Sequence, residues 1–149
     1  MTTPALAPTP LDADDRARCA AMARWLEASS TLGALALCCA VVAALGTLAH
    51  AWRDAALGFA LIALALTPVE RYLALRIRFD AGLFADLASG RIDDLAALDT
   101  GLAALGIVKD PQSSRTLDDR LHGSRRLWRR HALTVGLQAA SVAIAVVFA

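Results

Sequence analysis

The 149-residue chain is 57% apolar with a net charge of +1, and residues 28–52, 55–69 and 132–149 contain no Asp, Glu, Lys or Arg. Soluble globular domains are about 45–50% apolar, so this composition excludes an ordinary water-soluble enzyme and excludes disorder over most of the chain. The near-neutral charge, without zinc-ligand spacing or aromatic stacking motifs, excludes nucleic acid as a partner.

These three runs predict an all-α integral membrane protein. It has three transmembrane helices and a small helical cytoplasmic segment between spans 2 and 3. Residues 1–27 read as a polar, partly disordered N-terminal region, with Pro4, Pro8 and Pro10 in its first ten residues. Residues 28–75 read as a transmembrane hairpin. A hydrocarbon layer of about 30 Å needs roughly 20 apolar residues in helix, and the first run, starting at Ser29 or Ser30, meets this easily. Its length also argues against a cleaved leader, despite the small-x-small pattern Ala49-His50-Ala51. The second run is short at 15 residues and needs Leu73 to Leu75 to complete it, with a re-entrant or interfacial helix as the alternative. Residues 76–130 read as the cytoplasmic helical segment and residues 131–149 as the C-terminal span.

Aromatic and basic residues mark the boundaries. Trp25 and Trp52 bracket the first run, Tyr72 follows the second and Trp128 precedes the third, as expected of rings that favour the headgroup layer. Arg125, Arg126, Arg129 and Arg130 complete the set of membrane-surface anchors. Residues 70–131 hold 11 of the 15 basic residues. The positive-inside rule therefore predicts an inner-membrane topology with the N-terminus and residues 70–131 cytoplasmic and the C-terminus opposite.

Within the cytoplasmic segment, Tyr72, Leu75, Phe79, Leu83 and Leu87 recur at spacings of three and four, predicting one apolar stripe on a helix that continues from span 2 to Ser89-Gly90, and Leu73, Ile77 and Phe84 widen it so that cover is expected on more than one side. A second helix follows from about Ile92, with Leu95, Leu98, Leu102 and Leu105 as its stripe. Residues 107–113, containing Asp110-Pro111, read as a loop. Thr116 to Asp119 has the outline of a capping box, and no strong breaker follows it, so one long helix carries the Arg cluster into span 3.

No catalytic constellation emerges. Asp118 and His122 are four apart on one helix face, a spacing that more often marks a solvated contact than a dyad. Cys19, Cys38 and Cys39 suit structural burial, and Asp93-Asp94 suits a helix start. No cofactor or metal site is predicted. No span carries an ionisable residue at its centre, because Glu70 falls at the headgroup level, and this argues against a monomeric carrier.

Packing surface is plentiful. In the first span Ser29, Gly33, Ala36, Ala40, Ala43 and Thr47 recur at 4-3-4-3-4 and form one seam of small residues, which lets helices approach closely in lipid. Ala56, Ala60, Ala63 and Thr67 form a shorter seam in the second span, and Gly136, Ala140 and Ala143 one in the third. The expected function is therefore non-enzymatic, that of a small inner-membrane protein acting by helix association as an accessory or assembly subunit. An oligomeric transport or export component is the alternative. The expected partners are the bilayer, another protein or a second copy of the chain, and anionic lipid headgroups at the Arg cluster.

Overall fold

The computed structural model describes residues 11–106 and 116–149, so the proline-rich tail and the loop expected at 107–113 lie outside the described residues. Every regular element among them is a helix: α1 (Ala13–Glu27), α2 (Ser30–Leu48), α3 (Asp54–Ser89), α4 (Leu95–Ala104) and α5 (Leu117–Val147). Three helical stretches are long and apolar enough to cross a membrane: α1 with α2, α3, and α5.

Local chemistry explains the ends of these helices. Asp12 caps α1, accepting from the Asp15 backbone N–H, and Asp94 caps α4 through the Ala97 N–H. At α5 the capping box is complete, since Thr116 and Asp119 each bond the other's backbone N–H. Gly90 ends α3 in the left-handed conformation, at φ 72°, with the Arg91 N–H reaching back to the Asp86 carbonyl. His50 does the same for α2 at φ 54°, where a glycine would be usual. The chain then folds Trp52 back onto α2. Its indole N–H donates to the Ala43 carbonyl at 3.2 Å, and its ring lies where a Cβ on Gly46 would stand.

The N-terminal region adds an element. Residues 13–27, read as part of a polar region without an assigned element, form a full helix, and Cys19, Met22, Ala23 and Leu26 are buried on it. Ser29 does not cap a new helix either. Its backbone is helical, and its hydroxyl donates back to the Leu26 carbonyl at 2.6 Å. The chain therefore bends at Ala28–Ser29 and runs on. The charged residues of α1 hide its four buried positions from a composition-based reading.

Helices α3 and α5 lie antiparallel along much of their length. This is shown by the pairs Asp80–Ser124, Glu70–His131 and Thr67–Gln138, whose numbers run in opposite directions. At one end α2 completes a three-helix bundle with a core of Cys39, Ala43, Ala60, Ala63, Val142 and Ala145. At the other end α1 takes the place of α2, and α4 joins, around Leu26, Ile77, Phe84, Leu87, Leu102 and Leu121.

The buried stripe of α3 follows one side of the expected apolar face. Tyr72 and Leu75 are 67% and 69% exposed, whereas Leu73, Ile77, Ala81, Phe84 and Leu87 face the core. The inward face is set by Glu70, whose side chain is buried against α5, and positions 73, 77, 81 and 84 follow it at helical spacing. Similarly, Leu105 of the α4 stripe is 72% exposed, while Leu98 and Leu102 are buried.

The first-span seam lies against α3 and α5. Ser29, Ala36, Ala40 and Ala43 are buried, and Gly33 and Thr47 are half-buried. Ala56, Ala60 and Ala63 of α3 are fully buried, whereas Gly136, Ala140 and Ala143 of α5 face outward. Overpacking such an interface costs about 1–3 kcal/mol. Ala40→Leu should therefore lower the unfolding midpoint in detergent, while Val41→Leu, at a position 47% exposed, should leave it unchanged. Thermal or SDS-induced unfolding of the two variants side by side measures this.

Candidate functional site

The two apolar cores meet at a polar layer. Glu70 is 0% exposed, and its Oε1 accepts from His131 Nε2 at 2.9 Å, with His131 itself 1% exposed. The adjacent Arg71 lies at the surface. Its Nε donates to Glu70 Oε2 at 2.5 Å, and its terminal nitrogen donates to the Gly33 carbonyl at 2.7 Å. Three helices are thus joined at one level: α3 supplies the carboxylate and guanidinium, α5 the imidazole, and α2 a backbone oxygen.

Two turns along α5, Gln138 is also fully buried, and its amide nitrogen donates to the Thr67 hydroxyl at 3.2 Å. The Thr67 hydroxyl in turn bonds the Ala63 carbonyl, next to Pro68, which supplies no backbone N–H of its own. His131 Nδ1 and Gln138 Oε1 are buried without a hydrogen-bond partner among the described residues. Glu70 lies 16 residues from the start of α3, about 24 Å along its axis at 1.5 Å per residue. That places it inside a hydrocarbon layer of about 30 Å if α3 spans one, near the Arg-rich boundary. The expectation that Glu70 stands at the headgroup level and not at a span's centre is untouched by this, but burial against α5 turns its side chain inward.

A second polar contact joins α3 and α5 at the Arg-rich end. Asp80 accepts from Ser124 Oγ at 3.1 Å and lies 3.8 Å from Arg76. Burial pushes its carboxyl above the ordinary range, while Arg76, Ser124 and Arg120 act in the opposite direction. Asp99 of α4 and Arg120 of α5 pair at 2.5 Å, both side chains largely buried.

The remaining expected site residues lie apart from this layer. Trp25 and Trp128 pack at a centroid distance of 4.8 Å on α1 and α5. Trp52 lies at the other end of the molecule, Tyr72 is exposed on α3, and Arg125, Arg126, Arg129 and Arg130 are exposed along α5. Asp118 and His122 do not form a dyad. The Asp118 carboxylate pairs with Arg18, whose pKa it raises, and His122 Nδ1 meets only the Asp118 backbone oxygen. Burial pushes the Cys19 thiol up, and all three cysteines are free. Among the described residues no group of three or more His, Cys, Asp or Glu side chains forms a metal site.

Comparison with known proteins returns no match to a family model, a curated protein or a solved structure.

Removing one partner of a buried hydrogen bond leaves the other unsatisfied at a cost of about 1–3 kcal/mol, whereas replacing both with apolar groups of similar shape is often nearly neutral. His131→Ala should therefore destabilise the protein strongly in detergent unfolding, and Glu70→Leu/His131→Leu should recover much of the loss. Asp80 gives a pH prediction of opposite sign to a salt-bridged acid. Because its folded pKa is raised above the unfolded one, its ionisation opposes folding, and this contribution to stability falls as pH rises through the window between the two. Asp80→Asn should match or exceed the parent in stability at neutral pH, and its advantage should vanish in acid, as pH-dependent unfolding curves will show.

Proposed function

We propose that the chain is a three-span membrane protein that works by association, as a small accessory or assembly subunit of a membrane complex. The observation that carries this reading is the polarity of α4. A surface helix normally turns its charged residues to water. The only charged residue of α4, Asp99, is instead turned inward onto Arg120, while Ala96, Ala97, Thr100, Gly101 and Ala104 are exposed. Leu105, at the end of the helix, extends the face. This chargeless surface of small residues suits close approach of a partner helix. Nothing lies within 4 Å of a Cβ built on Gly101, so larger side chains fit there without disturbing the fold.

The first-span seam supports a self-contained unit, since its small residues are used within the chain. The partner surface is then the outward one at the Arg-rich end. In the orientation that follows from the basic residues, this end is cytoplasmic. An impermeant thiol reagent should label a cysteine placed at position 54 or after Ala149 in intact cells, but not one at position 113. Labelling at 113 reverses the orientation.

Photo-crosslinking from position 97 in native membranes, followed by purification, tests the association. A discrete adduct is expected, and Gly101→Arg should remove it without lowering the unfolding midpoint. Recovery of an uncrosslinked monomer overturns the proposal. A second reading, a small transport component, draws support from the buried line Thr67, Gln138, Glu70 and His131, since ionisable groups within spans commonly mark ion or proton pathways. Flux through reconstituted vesicles that is lost in Gln138→Leu favours that reading, while inert vesicles count against it.

A further inference from the structure

The basic residues of the Arg-rich end fall into two sets. Arg18, Arg24, Arg71, Arg76, Arg91 and Arg120 each face a carboxylate within the chain. Arg125, Arg126, Arg129 and Arg130 have no ion pair or hydrogen bond from their side chains among the described residues, and all four are exposed. Outside both sets, Arg16 bonds the Leu11 carbonyl and Arg78 is exposed without an ion pair among the described residues, while residues 125–130 concentrate four open charges just before the third apolar run.

The four arginines divide between two faces. Positions 125 and 129 are one turn apart on α5, as are 126 and 130. Arg125 lines an open groove of about 340 Å³ between α1 and α5, together with Arg18, Met22, Trp25 and Leu121. Met22 and Leu121 are buried at its floor, and Trp25, 39% exposed, forms its wall. Trp25 packs against Trp128 with the rings tilted by 32°, so an aromatic pair stands at the groove beside Arg125, and Arg129 follows Trp128 in the chain. Trp25 lies three residues before the Ala28–Ser29 bend and Trp128 three before His131. The groove therefore opens where the charge-free segments begin.

We propose that the α1/α5 groove binds the headgroup of an anionic phospholipid, with Arg125 and Arg129 on its phosphate and Trp25 and Trp128 against its glycerol region. The assignment rests on the reading that the chain spans a membrane, and not on the association partner. Charge complementarity and continuity with the apolar spans select a lipid. The phosphate would arrive from the bilayer with its acyl chains beside α5, and the aromatic pair occupies the level that Trp favours. A protein anion would have to reach the same level through the headgroups.

The test uses the full chain carrying Trp52→Phe, so that fluorescence reports the Trp25–Trp128 pair, in nanodiscs containing lipids brominated near the headgroup. Quenching by brominated phosphatidylcholine alone establishes insertion, and its absence overturns the membrane reading on which the site rests. In a mixed bilayer, brominated phosphatidylglycerol at low mole fraction should quench as though enriched about tenfold or more around the pair, given roughly 1 kcal/mol per arginine at an anionic surface. Arg125→Gln/Arg129→Gln should abolish that enrichment, while Arg126→Gln/Arg130→Gln, with the same change of charge, should retain it. Equal quenching by the two brominated lipids overturns the proposal, as does equal loss in both double variants, which signals diffuse attraction. Inorganic phosphate at matched ionic strength should leave the enrichment intact, and displacement by it overturns the lipid assignment in favour of a free-phosphate site.

Discussion

The buried contact between Glu70 and His131 is the constraint around which the two halves of the molecule are arranged. A carboxylate with no exposure must keep its partners, so α3 and α5 have one relative register and not a family of neighbouring ones. A shift by a single residue would turn Glu70 by about 100° and leave it unpaired among apolar atoms. Arg71 extends the constraint to α2 by bonding the Gly33 carbonyl. Gly33 leaves only ordinary contact distances to the Glu70 and Arg71 side chains, so α2 approaches this layer closely without strain.

From that layer the packing diverges by chemistry. Toward the Trp52 turn, the interior is built mainly of alanine, with Ala43, Ala60, Ala63 and Ala145 fully buried. In lipid, apolar side chains gain little by leaving their surroundings, so close backbone approach supplies the attraction. Toward α4 the interior holds Leu26, Ile77, Phe84 and Leu87, the larger residues expected where burial removes apolar surface from water. The change in side-chain size along α3 and α5 accompanies the replacement of α2 by α1 as the third helix.

The Arg-rich end joins the proposed roles. Ion pairs such as Asp99–Arg120 and Arg18–Asp118 hold α4 and α1 onto α5, while the exposed face of α4 and the arginines near Trp128 remain free for other molecules. Since α3 and α5 continue unbroken from one half to the other, a partner on α4 and a lipid beside α5 would act on the same two helices.

Some of this was open to a reading of the chain in order. Charge-free runs, the Thr116–Asp119 cap and the Gly90 stop depend on residues close together in sequence, and they located α2, α3 and α5 with the end of α3 and the start of α5. The α1 helix was obscured because charged residues are interspersed among its apolar ones. The apolar face of α3 was drawn too wide because Tyr72 and Leu75 extend an equally regular stripe beside Leu73, Ile77 and Phe84, and periodicity alone does not say which side meets a neighbour. Glu70 and His131 each looked like a boundary residue because 61 positions separate them in the chain.

By itself, then, the sequence determined the helices, their caps and the three segments long and apolar enough to cross a membrane, because these follow from local composition and short-range hydrogen bonding. Only the tertiary structure decided that the small-residue seam of α2 is used within the chain, that Asp99 turns inward, and that a carboxylate and an imidazole meet between two cores. Those outcomes depend on which helix faces which, and that is set by the joint packing of distant segments.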